Sequence, residues 1–266
     1  MSESRSTLIL LAAGKGTRMG SGVRKQYMEL CGYPLLSWPL ATFLTSPVIT
    51  DIVLVIPEDD EAYIRDVILP AAVSIAEKKG ACAQQPVAPS ENLIREERLA
   101  GKLRAMVPGG KERYDSVYRG LQAIDWPCDY VFIHDGARPL IDEASLERLY
   151  DAVMQEGTAV AAMPSKDTVK IADATGHVLD TPDRSSVWII QTPQVFSHAI
   201  IREAYARMME RMDELAAAGV RITDDAMAVE QMLRRRVRLV EASYSNIKVT
   251  TPEDILIAQV LMGRET

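Results

Sequence analysis

TLILLAAGKGTRMGSGVRKQY, residues 7 to 27, is the stretch from which the rest of the chain is read. It opens on an apolar run, Leu8 to Leu11, which predicts a short buried strand. The run breaks into Ala12-Ala13-Gly14-Lys15-Gly16-Thr17-Arg18-Met19-Gly20. Gly14, Gly16, Gly20 and Gly22 fall within nine positions, and Lys15, Arg18, Arg24 and Lys25 follow with no acid among them. Without Cβ atoms, such a loop can bring backbone N–H groups against an anion, and the basic side chains add full charges. The pattern predicts a seat for a polyanion, most simply a nucleoside triphosphate.

Two familiar glycine loops do not fit. No register supplies the GxxxxGK[ST] of a Walker loop. A dinucleotide fingerprint starts at Gly14 and Gly16, but Met19 holds its third glycine position, and only Glu29 or Glu58 could be stretched into service as the ribose acid. The plainest alternative is a solvated turn with ordinary surface charge.

Length and composition frame the rest. At 266 residues and 47% hydrophobic, the chain can bury a full core in one large α/β domain or two small ones. No stretch approaches the uncharged apolar length of a membrane span. MSESRS carries no apolar signal region, and Cys31, Cys82 and Cys128 are scattered and unpaired in spacing, so a reducing cytoplasm is expected and a structural zinc site is not. A net charge of −7 argues against broad nucleic-acid binding, though local basic groups can still hold an anionic substrate.

Along the chain, strands are expected at 51–56, 103–107, 130–134, 158–163 and 237–240. Helices are expected at 34–46, with Pro39 as a kink, at 59–78, with Pro70 as a bend or break, at 143–154 behind an Asp142 cap, and at 196–212. Apolar strands alternating with helices imply a mostly parallel sheet covered on both faces. Residues 79–102 read as an irregular surface insertion. After Ile171, alternating residues to Asp173, a turn at Ala174-Thr175-Gly176 and a return through His177 to Asp180 read as a β-hairpin, which needs a surface to lie on. Thr223 is expected to cap a helix, with Asp224 and Asp225 as helix-start electrostatics. Thr251, Pro252 and two following acids start the last helix. His134 is expected to face the packing or a backbone partner rather than to catalyse; His177 and His198 are assigned nothing.

AAGKGTRMG followed by Lys25-Gln26-Tyr27 resembles the nucleotidyltransferases that join a sugar or polyol phosphate to a nucleoside monophosphate, and Lys25-Gln26 resembles their cytidylyltransferase branch. Four later segments are similar to the 2-C-methyl-D-erythritol 4-phosphate cytidylyltransferase family in the same order. They are Gly109-Gly110 with Arg113 and Ser116, His134-Asp135-Gly136-Ala137-Arg138-Pro139, Gln191-Thr192-Pro193-Gln194, and Asn246-Ile247-Lys248-Val249-Thr250. Lys111 departs from members with an acid there, and Arg24 replaces a proline often found before Lys-Gln.

The resemblance implies a Rossmann-like three-layer α/β/α nucleotidyltransferase fold over residues 1–266, with a protruding β-arm near 165–186 that embraces a second subunit in a homodimer. It implies transfer of CMP from CTP to the polyol phosphate, releasing pyrophosphate, as a step of non-mevalonate isoprenoid biosynthesis. Mg²⁺ or another divalent cation would be held mainly by the triphosphate, with Asp135 as its one protein contact. Ala12, Ala13, Gly14, Gly16, Gly110, Ser116, Asp135 and Gly136 would meet the nucleotide. Arg138, Thr168, Arg184, Thr192 and Lys248 would meet the second substrate, with Thr168 and Arg184 completing the neighbour's site. Arg18, Lys25, Arg184 and Lys248 would carry catalysis through charge and positioning. Ribitol-5-phosphate cytidylyltransferase shares much of this set and is the nearest rival. A non-catalytic nucleotide-binding module on the same fold is the rival of another class.

Overall fold

The computed structural model describes residues 4–14, 24–81 and 101–263. Arg18 and Gly16, and most of the insertion expected at 79–102, lie outside the described residues.

The apolar runs become strands where the sequence places them. β1 (Ser6–Leu11), β4 (Asp51–Ile56) and β6 (Tyr130–Asp135) lie side by side in parallel, with β4 and β6 on either edge of β1. β5 (Leu103–Pro108) extends the sheet beyond β4, again in parallel. On the other side come β10 (Trp188–Ser197), β7 (Thr158–Pro164) and β11 (Leu239–Glu241), giving the order β11-β7-β10-β6-β1-β4-β5. β10 runs antiparallel to both β6 and β7. The chain moves outward from β1 to β5 and then restarts at β6 on β1's other side. The crevice between the carboxyl ends of β1 and β6 is therefore the switch point where open α/β sheets bind ligands.

Because successive side chains on a strand face opposite ways, each central strand feeds two cores. Leu8, Leu10, Ile52, Leu54 and Phe132 pack on one face against α1 (Ser37–Thr45), α2 (Leu69–Ala81) and α4 (Glu143–Glu156). Ile9, Val53, Val55, Val131 and Ile133 pack on the other against α3 (Arg113–Gln122), α5 (His198–Glu210) and α7 (Asp225–Leu233). The short α6 (Met212–Ala217) adds Leu215 to this second face. A third cluster, Leu30, Leu35, Leu140, Val249 and Ala258, seats α8 (Pro252–Met262).

Several boundaries differ from expectation, each for a local reason. Pro34 does not start a helix: it pairs with Glu29 in a small hairpin of β2 (Glu29–Leu30) and β3 (Tyr33–Pro34). The turn between them places Cys31 at φ 50 and Gly32 at φ 80, the left-handed pair that closes a two-residue hairpin. Helix α1 begins at Ser37, so Pro39 sits in its first turn, where its missing N–H has no partner to lose. Just before Pro70 the expected helix is interrupted. A helical turn at Glu61–Tyr63 widens into a π-helical stretch at Ile64–Ile68, and α2 resumes at Leu69. The wider turn accommodates a residue that cannot donate to the i−4 carbonyl.

Residues 196 and 197, expected in a helix, finish β10, and Ser197 caps α5 instead. The expected strand at 237–240 forms at Leu239–Glu241. Asp224, not Thr223, caps α7, accepting from the Met227 N–H at 2.9 Å. The caps at Asp142 and Thr251 stand as read. The hairpin forms as β8 (Ile171–Ala172) and β9 (Val178–Asp180), apart from the main sheet, with Ile171, Val178 and Leu179 exposed.

Candidate active site

A cleft of about 240 Å³ opens at the switch point. The end of β1 supplies Leu11 to Gly14, the loop after β5 supplies Gly110 to Arg113 with Ser116, and β6 supplies Asp135. Lys25, Gln26, Ala137 and Lys248 complete the lining. Of the residues singled out from sequence, the fold thus gathers Ala12, Ala13, Gly14, Lys25, Gly110, Ser116, Asp135 and Lys248 around one space.

The floor is made by close backbone approach. Ala12 N–H donates to the Val55 carbonyl at 2.7 Å, extending the β1–β4 ladder one residue past the strand. The N–H groups of Ala13 and Gly14 make no hydrogen bond to another described residue, and backbone N–H groups at such a loop can serve an anion. Opposite them, Gly109 comes so near that a Cβ there would fall 2.1 Å from Ala13 Cβ. At Gly110 a Cβ would fall 2.1 Å from Asp115 Cβ. Both positions demand glycine by space, not by dihedral angle. Ser116 Oγ accepts the Gly110 N–H at 3.0 Å and donates to the Glu112 carbonyl at 3.2 Å. Its hydroxyl thus helps to shape the loop.

Lys25 comes from the single turn Lys25–Tyr27. Its neighbour Gln26, almost wholly buried, donates from Nε2 to the Ala12 carbonyl at 2.5 Å. This bond ties the residues just after the glycine-rich stretch to those just before it. Lys248 is placed from the far end of the chain: Val249 N–H donates to the Ala137 carbonyl at 2.8 Å. Asn246, fully buried, donates to Gln191 Oε1 and to the Thr192 carbonyl, locking the 246–249 segment onto β10.

Asp135 is the electrostatic centre. Its Oδ2 lies 2.6 Å from Lys248 Nζ and its Oδ1 lies 3.2 Å from Arg113 Nε. Burial alone would raise its carboxyl, but the charges of Arg113 and then Lys248 outweigh it and hold the pKa well below the ordinary carboxylate range. A carboxylate so held is a permanent anion and hydrogen-bond acceptor, suited to a sugar or polyol hydroxyl. It does not fit the expected role of metal ligand, because both oxygens already face cations. Among the described residues no cluster of three or more His, Cys, Asp or Glu could hold a metal ion. The described side chains of the cleft thus form no set that would hold a divalent ion apart from a triphosphate substrate.

Other expected residues stand outside the cleft. Gly136 packs below it; a Cβ there would meet Leu36 Cδ1 at 2.7 Å and the Leu11 carbonyl at 3.0 Å. Arg138 donates from Nη1 to the Asn246 carbonyl at 2.8 Å and so braces the lysine segment. Thr192 is buried; its Oγ1 accepts the Asp135 N–H at 3.1 Å and meets His134 Nδ1 at 3.2 Å. In this arrangement it supports Asp135 from behind and does not present its hydroxyl to a phosphate. His134 is fully buried, with Nε2 at 3.2 Å from the Arg138 carbonyl and its ring 5.0 Å from Phe43, as expected of a packing residue. Burial pushes its pKa down to about 4. Thr168 and Arg184 are exposed on the arm and do not line the cleft.

Sequence reasoning missed Asp225. It is fully buried and takes both Arg113 terminal nitrogens, Nη1 at 2.9 Å and Nη2 at 2.8 Å, while Tyr205 donates to its Oδ1 at 2.5 Å. The Thr-Asp-Asp run signalled a helix start, and only the fold shows that its second acid is a buried counter-ion.

Comparison with known proteins agrees with this geometry. Residues 6–264 match the family model described as IspD, 2-C-methyl-D-erythritol 4-phosphate cytidylyltransferase. The chain belongs to that family. A relative of this name from Lachnospira eligens is 41% identical over 257 residues, covering 97% of this chain and 99% of the relative. One from Geotalea uraniireducens is 41% identical over 261 residues, covering 97% of each. The solved structure of 4-diphosphocytidyl-2C-methyl-D-erythritol synthase from Anaerococcus prevotii superposes with a TM-score of 0.73 at 31% identity, over 98% of this chain and 99% of that one. The α/β nucleotidyltransferase fold expected from sequence is thus the cytidylyltransferase family's own. No helix among the described residues is long and apolar enough to cross a membrane.

Proposed function

We propose that this chain transfers CMP from CTP to 2-C-methyl-D-erythritol 4-phosphate, giving CDP-methylerythritol and pyrophosphate, within isoprenoid precursor synthesis. The observation that carries the reading is the cleft where the Ala13 and Gly14 backbone lies opposite a glycine pair, with Lys25 in the same lining and Lys248 and Arg113 on the ionised Asp135. Residues 1–266 act as one nucleotidyltransferase domain.

The nucleophile is a phosphate oxygen of the polyol phosphate, ionised near neutral pH. It forms a new bond to the α-phosphorus of CTP while the bond from that phosphorus to the bridging oxygen breaks, and pyrophosphate departs with the electron pair. No side-chain nucleophile or general base is required. The barrier is the approach of two anions and the charge that builds on the α-phosphoryl oxygens and the leaving group. Arg18 and Lys25 stabilise that charge, the Ala13 and Gly14 amides orient the triphosphate, and Lys248 holds the attacking phosphate. Asp135 accepts from a substrate hydroxyl. Mg²⁺ enters with CTP, on phosphate oxygens and water.

Thr168 and Arg184 then belong to a partner's cleft. The exposed Ile171, Val178 and Leu179 support an arm that lies on a second copy of the chain in a homodimer. The reading is tested by pyrophosphate release from Mg–CTP, with methylerythritol phosphate and ribitol 5-phosphate offered separately. Release with the former alone is expected. Release only with ribitol 5-phosphate would keep the mechanism and overturn the substrate.

A further inference from the structure

Lys248 and Asp135 pose a problem for any reaction in this cleft. Lys248 Nζ is 2.6 Å from Asp135 Oδ2, yet its side chain is 40% exposed and it is the cation of the 246–250 segment placed to meet an incoming phosphate. To bind a phosphate, the ammonium must turn at least partly away from the carboxylate. Asp135 is buried, and a buried carboxylate stripped of its counter-ion is costly. Something must remain behind to compensate it.

The described groups around Asp135 narrow the choice. His134, the preceding residue, is buried and engaged with Arg138 and Thr192. Arg138 directs Nη1 to the Asn246 carbonyl. Among the described residues, Arg113 alone hydrogen-bonds to the second carboxylate oxygen, through Nε at 3.2 Å, while Arg138 acts on Asp135 only by its nearby charge. Left to itself, an arginine side chain has many rotamers, and this one also lines the cleft, where a triphosphate could recruit it. It is not left to itself. Asp225 takes both terminal nitrogens in the bidentate fork that fixes a guanidinium in plane and direction. Tyr205, itself buried on α5, fixes Asp225 in turn. The chain Tyr205–Asp225–Arg113–Asp135–Lys248 runs from the helical layer to the cleft, and only its last member is free to reach far into solvent.

We infer that Asp225, outside the cleft lining, is a positioning residue. By clamping both terminal nitrogens of Arg113 it keeps that guanidinium on Asp135, so that Lys248 can turn to a substrate phosphate without leaving the carboxylate uncompensated. The inference rests on the CMP-transfer reading for the identity of that phosphate, but the clamp itself does not.

Two measurements test it together. Asp225→Asn keeps the shape of the side chain but replaces one acceptor oxygen with an amide that faces the guanidinium. Arg113→Lys keeps a charge but cannot span two carboxylates, and serves if the first variant folds poorly. In either variant the Asp135 carboxyl, followed by ¹³C NMR, should begin to titrate at a higher pH than in the wild type. In kinetics, Asp225→Asn should raise KM for the polyol phosphate about tenfold or more, with KM for CTP changed less than about threefold. The same substitution in a Lys248→Met background should add less than about twofold, because the residue it acts through is gone. An unmoved Asp135 titration overturns the inference. So does an Asp225→Asn penalty of equal size with and without Lys248, the signature of a merely structural role. A wild type that transfers no CMP to any polyol phosphate would sink the reaction and the Lys248 step. The NMR titration would still decide whether Asp225 holds Arg113 on Asp135.

Discussion

Gln26 Nε2 lies 2.5 Å from the carbonyl oxygen of Ala12, inside the protein, and so pins Lys25 to the end of β1. Removing the amide leaves a buried carbonyl without its partner. Gln26→Leu is expected to cost about 1–3 kcal/mol in urea unfolding. It should also lower kcat, because Lys25 loses its fixed position. A variant with wild-type kcat would show that Lys25 is placed by other means.

Lys25→Ala and Arg18→Ala test the charges directly. Each is expected to lower kcat by about 100-fold or more, near 3 kcal/mol of transition-state stabilisation. Lys25 is a partly exposed residue of a single helical turn, so its urea midpoint should hold. The expectation for Arg18 comes from its place in the glycine-rich sequence alone. Near-wild-type turnover in both would remove the charge-based mechanism.

Two glycines of the cleft should answer differently to alanine. At Gly109 the new Cβ meets Ala13 Cβ at 2.1 Å, so Gly109→Ala must push two loops apart, at a cost of about 1–3 kcal/mol in stability. At Gly14 no described atom lies within 4 Å of the new atom, so Gly14→Ala should unfold within about 0.5 kcal/mol of wild type. Its penalty should fall on KM for CTP, since Gly14 lines the cleft. Equal destabilisation by both would contradict the spacing.

His134 gives the fold a sensitivity to acid. Its pKa is lowered from 6.5 to about 4 by burial, so the folded state resists its protonation. The stability it lends is complete above the unfolded value and drains away between pH 6.5 and pH 4. The span corresponds to about 3 kcal/mol. His134→Asn should flatten the fall in urea stability over that interval. If both proteins lose stability in parallel, His134 is not the group responsible.

Asp135 contributes in the same direction, further into acid. Its depressed pKa means that its stabilisation is present above the ordinary carboxylate value of 3.8 and is lost only as pH falls below it. No limb of the pH–rate profile between about pH 5 and pH 9 should therefore belong to it. A limb in that range that vanishes in Asp135→Asn would show that the carboxylate titrates as an acid or base in turnover.

Much of this architecture is legible in local sequence. Leu8–Leu11, Asp51–Ile56 and Tyr130–His134 read as strands because parallel strands covered on both faces are apolar without interruption. Asp142 and Thr251 read as caps because capping chemistry is local. What escaped depends on distant partners. β10 runs antiparallel between β6 and β7, and pairing direction leaves no mark on the strand's own residues. Pro34 entered a hairpin because Cys31 takes a left-handed conformation that its identity does not advertise. Asp224 and Asp225 look alike in sequence; one caps a helix, and the other meets an arginine 112 positions earlier. The cleft residues from Ala12 to Lys248 were readable as motifs, whereas the inward roles of Thr192 and Ser116 emerged only from their hydrogen bonds.

The central claim is that a polyol phosphate attacks the α-phosphorus of CTP in this cleft. ³¹P NMR of the purified protein with Mg–CTP and 2-C-methyl-D-erythritol 4-phosphate tests it most directly. The account predicts the coupled signals of a diphosphate diester appearing in equal amount with free pyrophosphate, and neither forming when the polyol phosphate is withheld. Inorganic phosphate and CDP in their place, or no change in the CTP signals, would contradict it.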